Sequence, residues 1–243
     1  SVILAPRVFS LWIDAPEMAE SAVPGQFVSI YTKSEARLLP RPISICEINR
    51  GEKTMRFVYR VVGEGTEEFS KLSSGDKIEV LGPLGNGFPI PEKKAILIGG
   101  GIGIPPMLAL AKACKERPTV VLGYRDATLF LKEEFDKVAD VVVATDDGSV
   151  GTHGTVIDAM KEKNLTADVI CACGPMPMLR GVKAYGLENE IETYVSMEER
   201  MACGIGACLG CVCQSTEVDS HSNVHNKRVC KDGPVFLSTE VEL

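Results

Sequence analysis

The chain has 243 residues, 45% of them hydrophobic, nine cysteines and a formal net charge of −7. That length suits one large domain or two small ones with a real core. The acidic balance, with no basic block, excludes nucleic acid and anionic membrane surfaces as partners, because both are bound through Lys and Arg.

The opening, SVILAPRVFS, lacks a basic region followed by a long apolar one and does not read as a secretory signal, so a cytoplasmic chain is expected. The absent initiator Met points to processing or an edited sequence. Residues 1–90 then read as all-β. The runs RVFSLWI, GQFVSIY, PISICEI, TMRFVYRVV and DKIEVLG are separated by turn residues such as Pro24-Gly25, Asn49-Arg50-Gly51 and Ser74-Gly75-Asp76. Short strands at this spacing predict a β-barrel or sandwich. One short helix is expected at Glu67 to Leu72. Arg41-Pro42-Ile43-Ser44 interrupts the strand-rich zone. Its proline fixes the backbone, its arginine offers a planar fork suited to phosphate, and its serine can bond a ligand edge. An arginine at a strand end is as readily a solvated charge.

Residues 91–198 alternate strand and helix. Strands are expected at Ala95–Gly99, Thr119–Tyr124, Val141–Thr145, Val169–Ala172 and Glu192–Val195, with helices such as Pro106–Lys115 and Pro177–Tyr185 between them. The strands are Val- and Ile-rich without polar alternation, as in a doubly wound parallel sheet covered on both faces. The uncharged run from Ala95 to Ala111 holds glycines and prolines and is shorter than the roughly 20 residues of a membrane span. It reads as strand, turn and helix start. Within it, Gly99-Gly100-Gly101-Ile102-Gly103-Ile104-Pro105-Pro106 lets backbone approach a pyrophosphate, and the helix N-terminus is expected to add N–H donors. A second turn, Cys173-Gly174-Pro175-Met176, ends a neighbouring strand at the same sheet edge, where such folds bind ligands. Asp126, about 20 residues past the loop, is placed to bond a ribose hydroxyl and favour NAD over NADP, or is a solvated loop acid. The sequon Asn164-Leu165-Thr166 has no meaning in a cytoplasmic chain.

Residues 199–243 are rich in Cys and Gly and have no helical period. An odd cysteine count argues against a fully paired disulfide framework. Cys46, Cys114, Cys171 and Cys173 are scattered, whereas Cys203, Cys208 and Cys211 form C-x4-C-x2-C and Cys230 follows. A tight triplet plus a distant fourth thiolate is a [2Fe-2S] spacing: a short loop wraps three positions of an Fe2S2 rhomb and a returning segment closes it. Gly204, Gly206 and Gly210 allow N–H groups to turn toward sulfur. Structural zinc is the competing reading, and Cys213 a competing ligand, although Cys230 closes the cage better.

Together, RPIS, GIGIPP, CGPM and the cysteine pattern resemble the ferredoxin–NADP reductase superfamily. The C-terminal cysteines narrow the resemblance to the electron transfer subunits of NAD-dependent dihydroorotate dehydrogenase B, over nearly the whole chain. The resemblance implies three domains: an FAD-binding β-barrel (1–90), a Rossmann-like NAD-binding domain (91–198) and a [2Fe-2S] domain (199–243). It implies FAD contacts at Arg41, Pro42, Ile43, Ser44, Val58, Tyr59, Arg60, Gly65 and Thr66, with Gly65-Thr66 seating the pyrophosphate. Nucleotide contacts fall at Gly101, Gly103, Pro105, Asp126, Gly174 and Pro175, and cluster ligands at Cys203, Cys208, Cys211 and Cys230. It implies no protein nucleophile, with Cys173 tuning the nicotinamide site. It further implies a partner, an FMN-containing dihydroorotate-oxidising subunit in a heterotetramer, with the cluster at the subunit interface. The insertion HSNVHNKR before Val229-Cys230 leaves the shape of that loop open. A flavin subunit of a hydrogenase or bifurcating transhydrogenase would share these motifs, and a zinc-containing nucleotide-sensing module is a rival of another class.

Overall fold

The computed structural model describes residues 1–34, 36–218 and 223–243. In chain order the first part holds β1 (Val2–Ala5), β2 (Val8–Asp14), α1 (Pro16–Ser21), β3 (Phe27–Ile30), β4 (Arg41–Asn49), β5 (Thr54–Arg60), α2 (Glu64–Ser70) and β6 (Val80–Leu84). The second holds β7 (Ala95–Gly100), α3 (Ile104–Ala113), β8 (Thr119–Tyr124), α4 (Lys132–Asp136), β9 (Asp140–Thr145), β10 (Thr152–His153), α5 (Val156–Glu162), β11 (Val169–Cys173), α6 (Met176–Glu188) and β12 (Glu192–Ser196). The C-terminal part holds β13 (Val212–Gln214), β14 (Asn226–Arg228) and β15 (Val235–Leu237). No helix among the described residues is long and apolar enough to cross a membrane.

The first six strands form one antiparallel sheet in the order β1-β2-β5-β4-β3-β6. It curls around Leu11, Val28, Ile30, Ile45, Met55, Phe57 and Tyr59, and Phe69 of α2 enters the same core edge-on to Tyr59. This is the expected β-barrel architecture with β1 and β6 as its edges. Helix α2 begins at Glu64, earlier than the Glu67 start the sequence suggests, because Gly63 and Thr66 build a capping turn there. The short elements β1 and α1 carry too few periodic residues to stand out in the sequence.

The second sheet runs β10-β9-β8-β7-β11-β12-β15, parallel except for the last strand. Alternate residues of β7 enter different apolar layers. Leu97 meets Ile104, Met107 and Phe135 of α3 and α4, whereas Ile96 and Ile98 meet Val156, Met160, Leu179 and Val182 of α5 and α6. Burial on both faces is why these strands show no polar alternation. The antiparallel edge β15 comes from the cysteine-rich segment, so that segment is built onto the second sheet.

The two sheets share one apolar layer, in which Val8, Cys46 and Val58 of the first join Ile104 and Met107 of the second. Beside it the buried Arg56 guanidinium donates to both carboxylate oxygens of Glu134, at 2.6 and 3.0 Å, and to Ser10 Oγ at 2.8 Å. A bidentate, partly buried pair of this kind fixes orientation as well as contact.

Candidate functional site

Arg41-Pro42-Ile43-Ser44 does not interrupt the β zone. It is the first half of β4. Over these residues β4 pairs with β3, and pairing with β5 begins only at Ile45, so a residue without an N–H is tolerated. The register sets Pro42 opposite Ser29 and Ser44 opposite Phe27. Directly opposed residues share a sheet face. Val28, Ile30 and Ile43 belong to the barrel core, so Phe27, Ser29, Pro42 and Ser44 lie on the outer face.

Arg41 reaches the start of α2. A Cβ on Gly65 would lie 2.6 Å from Arg41 Nε, so the guanidinium is packed directly against this glycine. Arg41 also donates to the Leu39 carbonyl. The N–H groups of the first helical turn have no intrahelical acceptor. Arg41 lies beside this turn. Thr66 contributes its backbone there but not a free hydroxyl. Its Oγ1 accepts from Val62 N (3.0 Å) and Gly63 N (3.2 Å) and donates to Gly63 O (2.9 Å). Val58 and Tyr59 are likewise buried, at 3% and 2% exposure, with the Tyr59 ring stacked on Phe9 at 6.2 Å. Their side chains serve packing, whereas Arg60 is exposed.

At the carboxyl edge of the second sheet, the two glycine turns touch through their backbones. A Cβ on Gly103 would lie 2.3 Å from the Cys173 carbonyl oxygen, so no larger residue fits. At Gly101 (φ 55°) the same position meets nothing within 4 Å, which leaves the turn open above it. The expectation of donors from the α3 N-terminus is corrected. Pro105 and Pro106 carry no N–H, and the Ile104 N–H is taken by the Gly101 carbonyl. Donors at this edge must come from the turns themselves. Cys173 lies opposite Ser196 of β12. Burial, partly offset by a hydrogen bond with Ser196, pushes its thiol up to about 12, so it is protonated at neutral pH. Gly174 and Pro175 lie beside Gly100, across from the first turn. Asp126 Oδ1 accepts from Thr128 N at 2.8 Å, and hydrogen bonding from the Thr128 side chain and then its backbone holds the exposed carboxyl below the ordinary value. Its carboxylate ties its own turn, at the same edge of the sheet.

The cysteine segment is organised by N–H to sulfur bonds. Cys203 accepts from Ala207 N (3.3 Å), Cys208 from Gly210 N (3.4 Å), Cys211 from Cys230 N (3.3 Å) and Cys230 from Gly206 N (3.1 Å). Positive φ at Gly204 (71°), Gly206 (83°) and Leu209 (58°) turns these amides inward. Burial opposes ionisation of Cys203, but the N–H groups of Ile205, Cys208 and Ala207 prevail and bring it down to about 6. Cys230 is pushed up to about 12 by burial and by sharing a proton with Cys211. The long gap before Cys230 is spanned by the β13–β14 hairpin, which returns Val229 N to Cys211 O at 2.9 Å. The described end of the inserted stretch is β14, and it sets Cys230 beside Cys211. His221 and Ser222 of that stretch lie outside the described residues. Cys213 sits on β13 in the apolar layer, and burial raises its thiol to about 11. Arg228 pins the returning strand to the loop, bonding Asp232 Oδ2 at 3.0 Å and Gly206 O at 3.3 Å.

These residues suit an iron–sulfur cluster. Each of four cysteines accepts an amide bond, as a thiolate donor set requires. Among the described residues, no three His, Cys, Asp or Glu side chains converge to hold one metal ion. One residue the sequence reading missed is Ser29, fully buried on the face of Pro42 and Ser44, where a Cβ on Gly204 would meet its Oγ at 2.9 Å. Its only signal was a hydroxyl within the otherwise apolar strand Phe27–Ile30.

A family model described as the iron-sulfur cluster binding domain of dihydroorotate dehydrogenase B matches residues 198–242. The dihydroorotate dehydrogenase B (NAD(+)) electron transfer subunit of Fusobacterium nucleatum is 42% identical over 100% of this chain and 96% of its own length. The subunit of the same name from Listeria monocytogenes is 45% identical over 99% of this chain and 95% of its own. Among solved structures, an NADH-dependent reduced ferredoxin-NADP oxidoreductase aligns with a TM-score of 0.88 at 33% identity, covering 99% of this chain and 87% of that one. The flavin-type barrel, the glycine turns and the amide-lined cysteine loop agree with these likenesses in full length and order, and the chain belongs to the family of dihydroorotate dehydrogenase B electron transfer subunits.

Proposed function

We propose that the chain carries FAD and a [2Fe-2S] cluster and passes electrons from an FMN-containing, dihydroorotate-oxidising catalytic subunit to NAD+, two copies of each subunit forming the complex. One observation carries the reading. Pro42 and Ser44 of the flavin motif lie on the same outer sheet face as Ser29, on the adjacent strand, and the cysteine loop rests on Ser29 through Gly204. Neighbouring strands are about 4.8 Å apart, so the two redox sites adjoin.

When bound, the cluster supplies one-electron exchange and the flavin converts it to hydride transfer with NAD+. The residues bind and orient. Arg41 and the first turn of α2 hold the flavin pyrophosphate, with Ser44 at the flavin edge. The turns 101–103 and 173–175 admit the nicotinamide nucleotide, and orientation there supplies much of the rate. Cys173 stays a thiol and lines the site without attacking. Cys203, Cys208, Cys211 and Cys230 ligate the cluster. Cys208 is exposed, and Ile205 and Leu209 beside it are 54% and 59% exposed, whereas Cys211 and Cys230 are buried. The exposed side faces the catalytic subunit and the buried side faces this chain.

The test is Cys208→Ser in the assembled complex. The variant should keep NADH-to-dye activity, which needs only the flavin, and lose electron flow from dihydroorotate to NAD+. Equal loss of both activities would overturn the assignment. The likeness to the NADH-dependent ferredoxin-NADP oxidoreductase favours a second reading, a subunit of a bifurcating enzyme. Its identity of 33%, against 42% and 45%, places it behind, and reconstitution with a dihydroorotate-oxidising partner separates the two.

A further inference from the structure

Ser29 presents a problem that the protein alone does not solve. It is 0% exposed, and its Oγ has no hydrogen-bond partner. A buried hydroxyl left unsatisfied loses its hydration and gains nothing in exchange. Strands alternate their faces, and Val28 and Ile30 occupy the barrel core, so Ser29 projects outward with Phe27. Phe27 belongs to the apolar layer that contains Cys211 and Cys230. The residue lying over the Ser29 hydroxyl is Gly204, which follows Cys203 directly and holds φ at 71°. The hydroxyl is thus sealed from solvent and aimed at the cysteine loop, and no protein acceptor meets it there.

We infer that Ser29 donates its hydroxyl hydrogen to a sulfur of the [2Fe-2S] cluster on the Cys203 side, as a positioning residue that raises the cluster's reduction potential. The inference rests on the assignment of the four cysteines as cluster ligands. The missing acceptor is then a cluster sulfur, an atom the polypeptide does not supply. Hydrogen bonds to sulfur favour the more negative, reduced state and raise the potential. Because β3 is bonded through its backbone to the flavin-motif strand β4, the same residue couples the cluster's setting to the flavin domain. The sequence also accounts for Gly204: a side chain there would collide with Ser29 Oγ.

The experiment compares wild type, Ser29→Ala and Ser29→Thr in the assembled holoenzyme. Readouts are iron content, the midpoint potential of the cluster from an EPR-monitored titration, and the flavin midpoint from absorbance. Ser29→Ala should keep its iron and EPR signal while its cluster midpoint moves negative, by roughly tenfold in the reduction equilibrium, or about 59 mV for one electron. The flavin midpoint should stay at the wild-type value, and Ser29→Thr, which keeps the hydroxyl, should restore the cluster midpoint. With the cluster chelated out, Ser29→Ala should melt no lower than wild type, because it removes an unsatisfied group. An unchanged cluster midpoint in iron-replete Ser29→Ala would overturn the inference, and so would a shift confined to the flavin. A wild-type complex without iron would instead sink the ligand assignment beneath it.

Discussion

The seven-stranded sheet and the cysteine-rich segment that supplies its last edge are held by different forces. The sheet is sealed on both faces: Leu97 meets one helical layer, Ile96 and Ile98 the other, and all three are at most 1% exposed. The segment has only short strands. Its loop is ordered by amides pointing at sulfur and by left-handed turns at Gly204, Gly206 and Leu209. Burial of apolar area stabilises the first almost regardless of chemistry, whereas the second gains its order from groups that become fully satisfied when thiolates bind metal. A fold can thus keep a rigid scaffold and place beside it a loop tuned for electron exchange.

The largest break in this comparison should come from Cys230→Ser. It removes a buried thiol proposed as a cluster ligand, so iron content should fall to background and protease should cut within residues 199–230, while the main melting transition moves little. A main transition lost together with the iron would show that the segment supports the sheet as well. Leu97→Ala should do the reverse. A buried leucine replaced in a central strand costs about 2–5 kcal/mol. Calorimetry should register that loss, with iron stoichiometry unchanged below the lowered melting point. Glu134→Ala tests the weld between the two sheets. It leaves Arg56 with Glu47 at 3.6 Å, and because Glu134 is partly exposed the expected loss is about 2 kcal/mol, below that of a fully buried pair. Flavin affinity should weaken with it.

The smallest effect is a pH dependence confined to the sheet. Asp158 accepts from Thr155 Oγ1 at 2.7 Å and Thr155 N at 2.8 Å at the start of α5, and these bonds hold its carboxyl below the ordinary value. A carboxyl depressed by folding stabilises above its unfolded pKa, and that stability is lost as pH falls through the folded value. The melting point of wild type should therefore exceed that of Asp158→Asn by a constant margin near neutrality. The margin should shrink below about pH 4. A margin that persists in acid would mean the bonds do not depend on charge.

Much of this was legible in the sequence for a physical reason. Strands covered on both faces must be continuously apolar, so β7, β8 and β11 stood out, and their ends were misplaced by a residue or none. The three thiols of C-x4-C-x2-C and a distant fourth were legible as a candidate ligand set, because their spacing is local. Elements of few residues, such as β1, α1 and β10, carry too little periodicity to be read. The proposed flavin contacts were legible as residue types but not as side-chain roles. Tyr59 is drawn into the core by Phe9 and Phe69, and the Thr66 hydroxyl is drawn into its own turn.

The sequence by itself determined which residue types stand at motif spacing, because donor type and local spacing are properties of the chain. It determined the two sheets as well, because apolar periodicity fixes what must be buried. Only the tertiary structure decided that Ser29, Pro42 and Ser44 share one face, that Gly204 rests on Ser29, and that a hairpin returns Cys230 to Cys211. Those relations depend on strand register and on contacts between residues distant in sequence, and no local pattern encodes either.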